Sequence, residues 1–564
     1  MEFPTRPSWP STPLDDRRVT LSAAGYRWRL AVPVEESPAA WRHAFDRFWN
    51  SSGRRREAEE LFRSIFEGLT PLKSSQVRRL GRGSLPGTDF GLVVKEYLPR
   101  GLGPALRALV SRTPAQREWR ALRRLRRAGV AVPRPLALGQ PQSRLAALCG
   151  RGALVMEALP NTITLEELLL HRFQGSTSPP PLPSGAAARL GRLVRSLHDA
   201  GVAHPDLHAA NVLLDPAGEF HLIDFHSAGT HSGSVGWPKR RRDLIAFSGA
   251  FLSLGQPADR WRFFKAYRWR DLDGRELLRE ARRIEGDAWK RLFSFLRRFD
   301  GRPLRRGRGF QRISVHNWHG MAERSQRALA LVRCLGPFPE EVLRREGRVI
   351  KDQSAGSVFA LSVDRAEYIV KLYRQPGLQG MAKRLFRGSR ARAAWINGYR
   401  LRSRLLPAPT PVIVLEEALP APEGRSLVAF EKVSGLPTLD RYVAATTETQ
   451  RRVIVRELAV ALARMHRFFL AHRDLKAPNI LVSSDGKPVF IDPDGISLVA
   501  HIDRYIMARD LMRLNASFAP RGSVRLTERL RFLALYARCR GLDREQRLAL
   551  RFDVLQLTLA KWGR

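Results

Sequence analysis

The sequence predicts an α+β chain built as two tandem modules, each with a small β-rich N-terminal lobe and a larger helical C-terminal lobe. Three observations predict it: a long motif that occurs twice, identical spacing inside both copies, and the same order of apolar patterns around each. Leu197-His198-Asp-Ala-Gly-Val-Ala-His204-Pro-Asp206-Leu-His-Ala-Ala-Asn211 returns as Met465-His466-Arg-Phe-Phe-Leu-Ala-His472-Arg-Asp474-Leu-Lys-Ala-Pro-Asn479. Each copy continues through two short apolar runs to Ile-Asp, and Asp206 to Asp224 and Asp474 to Asp492 both span 18 residues. Both then reach Arg-Asp-Leu, at Arg242-Asp243-Leu244 and Arg509-Asp510-Leu511. A repeat of this length sets the architecture before any local pattern does.

Taken in order, residues 1–20 read as a loose tail, 21–335 as the first module and 336–564 as the second. The boundary is placed at Cys334-Leu-Gly-Pro-Phe-Pro, where turn-forming residues break a helical pattern. Val94-Lys95-Glu-Tyr97 and Val370-Lys371-Leu-Tyr373 lie in apolar runs that read as strands. From each lysine to a tryptophan, Trp119 or Trp395, is 24 residues. Leu106–Val110 and Gln116–Ala128 read as helices, the second ended by Pro133 and Pro135. Ser176–Ser184, rich in proline, reads as a loop. Ala187–Asp199 and Glu457–Phe469 have the period of amphipathic helices that run into the two repeated loops.

Composition bounds the function. The 564 residues carry 97 Lys+Arg against 54 Asp+Glu, a net charge of +43, and only 12 of those cations are lysine. Arginines are spread along the chain, at Arg123–Arg127, Arg240–Arg242 and Arg305–Arg308, and are not gathered in one tail. Such charge solvates helix faces or attracts a polyanion: a phosphorylated glycolipid, an anionic membrane surface or nucleic acid. No helix-turn-helix, zinc-finger or RNA-binding signature accompanies it, so nucleic acid is the outsider. Three scattered cysteines, Cys149, Cys334 and Cys539, exclude a disulfide scaffold and a Cys-ligated zinc site. With neither a leader-like start nor a long apolar run, the expectation is a soluble, cytoplasmic protein.

The repeated residues suit phosphoryl transfer, which needs positioning and neutralised charge more than covalent chemistry from the protein. Asp206 and Asp474 suit the carboxylate that orients an attacking hydroxyl and accepts its proton. Asn211 with Asp224, and Asn479 with Asp492, supply the hard oxygen ligands that Mg²⁺ prefers against nucleotide phosphates. Lys95 and Lys371 suit the cation on a strand that grips those phosphates. This chain uses arginine wherever a positive charge suffices, yet keeps lysine at both strand positions. A compact ammonium is not interchangeable there with a guanidinium fork. Asp and Asn also shape ordinary loops, but two full copies at equal spacing favour the chemistry. The spacing of His198/His204 and His466/His472 does not form a metal-binding helix face, so packing around the loops is their expected part.

Strand lysine, H-x-D-L-x-x-x-N loop and following Asp resemble the protein-kinase-like fold. The interval from Asp224 to Arg242 is short for an activation segment and lacks A-P-E, as does that from Asp492 to Arg509. Together with Gly129-Val-Ala-Val-Pro133-Arg-Pro135 and Val94-Lys95-Glu-Tyr97, the modules resemble the lipopolysaccharide kinase (Kdo/WaaP) family over about 65–300 and 345–515. The resemblance implies ATP-dependent phosphorylation of a sugar hydroxyl of the lipopolysaccharide inner core, at the inner face of the inner membrane. ATP and Mg²⁺ are the expected cofactors. An anionic glycolipid or other hydroxyl-bearing substrate is the expected partner, with peripheral association to an anionic membrane surface. It also implies that Glu118 holds Lys95, and that Gly81 and Gly83, and Gly356 in the second module, line the phosphate loops. Ala394 stands at the position matching Glu118, and no Asp or Glu lies between Glu367 and Glu416. The first module is therefore the more complete, and the second reads alternatively as a regulatory pseudokinase. His208 in H-x-D-L-H keeps a small-molecule kinase open, and His472-Arg-Asp-Leu-Lys476 a protein kinase.

Overall fold

A computed structural model describes residues 20–30, 55–75, 77–98, 112–143, 146, 149–174, 184–254, 257–268, 272–418, 423–518, 522 and 524–563. The expected tail before residue 20, the helix at 106–110 and nearly all of the loop at 176–184 lie outside these. The chain divides into two units at Phe293/Ser294.

In the first unit, a seven-stranded antiparallel sheet has the order β1-β2-β6-β7-β5-β4-β3. Its strands are β1 (Thr20–Ala23), β2 (Tyr26–Leu30), β3 (Thr70–Ser74), β4 (Arg78–Ser84), β5 (Gly91–Tyr97), β6 (Pro135–Pro141) and β7 (Gly152–Glu157). Helix α1 (Arg55–Glu67) places Phe62 and Ile65 in a core with Trp28, Leu92 and Val94. Helix α2 (Pro114–Arg127) starts at a capping box in which Thr113 and Gln116 satisfy each other's backbone N–H groups. It buries Glu118, Trp119, Leu122 and Leu125. The helical lobe follows: β8 (Ile163–Thr164), α3 (Leu165–Gln174), α4 (Ala186–Asp199), β9 (Val202–Ala203), β10 (Val212–Leu214), β11 (Phe220–Leu222), β12 (Gly229–Thr230), α5 (Trp237–Leu254), α6 (Pro257–Tyr267) and α7 (Gly274–Asp300).

The second unit repeats the plan. Its sheet order is β13-β14-β18-β19-β17-β16-β15, from β13 (Phe310–Val315), β14 (Trp318–Glu323), β15 (Arg348–Gln353), β16 (Gly356–Val363), β17 (Ala366–Tyr373), β18 (Pro411–Glu417) and β19 (Ser426–Glu431). Helices α8 (Gln326–Leu335) and α9 (Pro339–Glu346) cover the sheet, and α10 (Gly377–Arg387) and α11 (Arg390–Ser403) follow β17. The helical lobe contains α12 (Leu439–Ala445), α13 (Glu448–Arg467), β20 (Leu470–His472), β21 (Ile480–Val482), β22 (Pro488–Phe490), β23 (Ile496–Leu498), α14 (Arg504–Ala516), α15 (Leu526–Arg540) and α16 (Arg544–Trp562).

The expected boundary at 335/336 is corrected by strand pairing. Hairpin β13–β14 joins the second sheet, with Trp318 opposite Glu417 and Met321 opposite Val414. The break at Cys334–Pro339 is only the turn between α8 and α9, whose Leu331, Leu335 and Leu343 share one core.

Candidate active site

Each strand lysine is placed by the register of three strands. Lys95 in β5 lies opposite Leu80 of β4 and Leu154 of β7; Lys371 in β17 lies opposite Val358 of β16 and Val428 of β19. In the first unit Lys95, 7% exposed, reaches Glu118 Oε1 of α2 at 2.6 Å and Asp224 Oδ1 at 3.3 Å. Tyr97, also on β5, donates to Glu118 Oε2, and Phe225 N donates to Glu118 Oε1 at 3.2 Å. Glu118 thus ties the strand, the helix and the segment after β11 together. Asp224 itself has φ +67, a left-handed conformation that costs a non-glycine residue energy and concentrates at functional sites.

The second unit reaches the same arrangement with a different carboxylate. Lys371 Nζ is 2.6 Å from Asp492 Oδ1 and 3.6 Å from Asp494 Oδ1. Tyr373 donates to Asp494 Oδ2, as Tyr97 does to Glu118. Asp494 therefore stands in for the glutamate that Ala394 lacks, reaching the lysine from the Asp492-Pro-Asp-Gly turn and not from the helix. The helix still holds that turn, because Asn397 Nδ2 of α11 donates to Pro493 O at 3.1 Å and Ile496 O at 2.8 Å. Lys371 thus has an acidic partner, one that lies outside the Glu367–Glu416 interval searched in the sequence.

Electrostatics follow these contacts. Burial opposes ionisation of Asp224, but the hydrogen bond with His226 and the charges of Lys95 and Arg78 hold its carboxyl well below the usual range. Burial likewise opposes ionisation of Asp492, and Lys371 outweighs it and lowers its pKa. Asp494 is raised, by burial and by its neighbour Asp492, against the pull of Lys371. Lys371 is raised despite burial because two carboxylates face it, so it stays charged.

The repeated loops lie beneath. Pairing of Val212 with Leu222, and the bond from Ile223 N to Asn211 O at 3.0 Å, brings Asn211 beside Asp224; Ile491 N to Asn479 O at 3.1 Å does the same for Asn479 and Asp492. Asn211 Nδ2 donates to Asp206 O at 2.9 Å and Asn479 Nδ2 to Asp474 O at 3.0 Å, which commits the nitrogen ends and leaves the carbonyl ends for a cation. An Asn–Asp oxygen pair fits Mg²⁺, which takes one or two protein ligands and completes its shell with phosphate and water. The side chains of Asp206 and Asp474 are about half exposed. Lys476 Nζ lies 2.9 Å from Asp474, whereas His208 Nε2 is 3.6 Å from Asp206.

The loops are braced from below. Asp243 and Asp510, fully buried, accept from His204 N at 2.6 Å and His472 N at 2.7 Å. They also face His198 and His466 at 3.5 and 3.4 Å. This explains the repeated Arg-Asp-Leu, whose spacing was visible in the sequence but whose task was not, and gives the four histidines a packing role. His204 Nε2 meets Ile223 O at 3.1 Å, and burial lowers the pKa of all four imidazoles.

A cleft of about 460 Å³ opens over the second site, lined by Gly356, Lys371, Asp474, Asn479, Asp492 and Asp494. Ile350, Val358, Ile369, Leu481 and Ile491 add apolar side chains to the lining, with Glu431–Val433. None of these apolar residues stood out in the sequence, where they read as ordinary strand interiors.

The glycines divide. Gly356 begins β16 next to the β15–β16 turn, borders the cleft, and a Cβ there would meet Leu372 O at 2.5 Å. Gly81 and Gly83 do not lie at a turn. They sit within β4, and Cβ atoms on them would meet the Leu69 side chain at 3.1 and 3.2 Å, so they make room for Leu69 and not for phosphate. Register shows what replaces them: Gly356 pairs with Tyr373, and the residue that pairs with Tyr97 is Arg78. Arg78 Nη1 donates to both Asp224 oxygens at 2.9 Å. Asp224 would hold a divalent ion there in competition with that guanidinium. Glycine spacing misled because the turn that matters in the first unit carries no glycine.

Comparisons with known proteins bear on this geometry. Residues 102–267 and 340–536 match the family model "Lipopolysaccharide kinase (Kdo/WaaP) family". The chain is 31% identical over 250 residues to the lipopolysaccharide core heptose(I) kinase WaaP of Pseudomonas aeruginosa, a match covering 42% of this chain and 87% of that protein. It is 33% identical over 150 residues to a 3-deoxy-D-manno-octulosonic acid kinase of Vibrio parahaemolyticus, covering 26% of this chain and 53% of that protein. Among solved structures, WaaP in complex with acyl carrier protein is 29% identical with a TM-score of 0.34, covering 44% of this chain and 95% of that one.

Proposed function

The chain belongs to the lipopolysaccharide kinase (Kdo/WaaP) family, and from that membership we propose that it transfers the γ-phosphoryl group of ATP to a sugar hydroxyl of the lipopolysaccharide inner core, working at the cytoplasmic face of the inner membrane. The observation that carries the proposal is the double convergence: in both units a strand lysine lies within 3.3 Å of the aspartate that follows the H-x-D-L-x-x-x-N loop.

In this reading Lys95 and Lys371 neutralise the nucleotide phosphates, and Glu118 and Asp494 keep those ammonium groups in place. Asp206 and Asp474 orient the acceptor hydroxyl and take its proton as the new O–P bond forms and the bond between the γ-phosphorus and the β-bridging oxygen breaks, releasing ADP. Asn211 with Asp224, and Asn479 with Asp492, would hold Mg²⁺, which supplies charge neutralisation between the phosphates when bound. Asp494 favours catalysis in the second unit over a purely regulatory part, since the ion partner whose absence motivated the regulatory reading is present in another place. Gly356, beside the cleft, leaves the backbone free to approach phosphate.

The test is radiolabel transfer from ATP to a lipid A–core acceptor by the full chain. Asp206→Asn and Asp474→Asn are each expected to lower incorporation, and the double variant to abolish it, a loss of at least about 10³-fold. Wild-type-like incorporation by the double variant would refute the proposal.

A further inference from the structure

Helix α10, Gly377–Arg387, is inside out. Its residues facing the protein are Gly380 and Arg384. A Cβ on Gly380 would lie 2.1 Å from Gln375 O, and Arg384, 8% exposed, donates from Nη2 to Glu417 O at 2.7 Å. Its large apolar side chains point the other way: Leu378 is 79% exposed, Leu385 63% and Phe386 89%. Leu378, Ala382 and Leu385 recur at i, i+4 and i+7, and Phe386 stands beside them, so they form one continuous face at 100° per residue. Ala382 is exposed as well, and Met381 half-buried, at its edges. An amphipathic helix ordinarily turns such a face to the core. Here a buried arginine and a glycine hold the helix down, and the apolar face is left outside.

The surrounding charge identifies what covers it. From residue 368 to 415 there is no Asp or Glu, and of the ten Lys and Arg there, Lys371, Arg374, Arg390, Arg400 and Arg404 are in ion pairs and Arg384 is buried; the other four are Lys383 and Arg387 on α10 itself and Arg392 and Arg402 on the helix after it. A second copy of a chain of net charge +43 would be repelled. A surface offering both anionic head groups and acyl chains satisfies leucine, phenylalanine and arginine together, as interfacial helices do. The position is apt: α10 directly follows the strand of Lys371 and Tyr373 and precedes Arg390, whose guanidinium lies 4.7 Å over the Tyr373 ring and 3.8 Å from Asp494. We propose that α10 is a membrane-docking helix, inserting Leu378, Leu385 and Phe386 into an anionic bilayer and holding the second site against the lipid surface. This rests on the reading that the acceptor is lipid-anchored.

Hydrogen–deuterium exchange of the full chain, with and without vesicles of phosphatidylethanolamine and phosphatidylglycerol, tests it. Residues 377–387 are expected to gain protection with those vesicles and not with phosphatidylcholine alone. The variant Leu378→Ser/Leu385→Ser/Phe386→Ser should bind the anionic vesicles at high salt at least about tenfold more weakly, since screening leaves mainly the apolar contribution. It should keep the wild-type melting temperature and wild-type phosphorylation of a delipidated core oligosaccharide. As a control, Leu548→Ser/Leu555→Ser in α16, also exposed apolar residues, should bind vesicles like wild type. Three results would overturn the docking role: no protection over 377–387, wild-type binding by the triple variant, or protection by an acidic protein in place of vesicles. Absence of phosphotransfer by the wild-type chain to any core acceptor, with 377–387 still protected by vesicles, would count against the kinase reading alone, so the two failures are separable.

Discussion

Asp494 and Glu118 occupy one physical role from two places in the chain. In each unit a buried ammonium must be held against the aspartate of the Ile-Asp motif, and an uncompensated buried charge is costly. The first unit supplies the carboxylate from α2 and has His226 two residues after Asp224; the second has Ala394 on α11 and supplies Asp494 two residues after Asp492. With the first unit silenced by Asp206→Asn, Asp494→Asn is expected to lower the remaining phosphotransfer about 10²-fold, chiefly by disordering Lys371. Adding Ala394→Glu should restore at least about tenfold of that loss. Turnover unchanged in Asp494→Asn would remove the residue from this role. At this scale the sequence named the lysines, the loop aspartates and the asparagines directly. Arg78 was hidden, because it acts through Asp224, more than a hundred residues away, and belongs to no spacing pattern; Asp494 stood in the Asp492-Pro-Asp-Gly turn, but its part was hidden because Lys371 is equally remote along the chain.

At the scale of elements, a buried polar bracket holds the second repeated loop: Asp510 accepts from His472 N, and Gly495 passes so close that a Cβ there would lie 2.8 Å from His472 Nδ1. Burial pushes the His472 imidazole down to about 4 from its ordinary 6.5. Between those two values the unfolded chain binds a proton that the folded chain refuses. Stability is therefore fully present above pH 6.5 and lost as the pH falls toward 4, by roughly 3 kcal/mol from this group. Denaturant midpoints of the second unit should fall across that window in the full chain, and His472→Gln should flatten the decline. An equal decline in wild type and variant would show that other groups carry it. The helices bearing the loops and the strands bearing the lysines were legible from periodicity. The register that opposes Arg78 to Tyr97 and Gly356 to Tyr373 was not, since hairpin turn positions depend on which residues the core can accept.

For the whole molecule, the hydrophobic cores among the described residues are each drawn from one unit or the other, and each unit has its own seven-stranded sheet. Calorimetry of the full chain should therefore show two unfolding transitions, each raised by Mg²⁺ and ATP through mass action. Lys371→Met should remove the nucleotide response of one transition and leave the other. A response of neither transition in wild type would contradict nucleotide binding by both units. No helix among the described residues is long and apolar enough to cross a membrane.

Duplication, lobe order and the lysine, aspartate and asparagine set that converges in each unit were legible in the sequence alone, because the chain states those side chains twice at fixed separations. Tertiary structure decided three other things: that hairpin β13–β14 completes the second sheet, that Leu69 and not phosphate accounts for Gly81 and Gly83, and that Asp494 answers for the missing glutamate. These depend on distance in space between residues remote along the chain. Charge and packing choose the partner there, and separation in sequence leaves no trace of the choice.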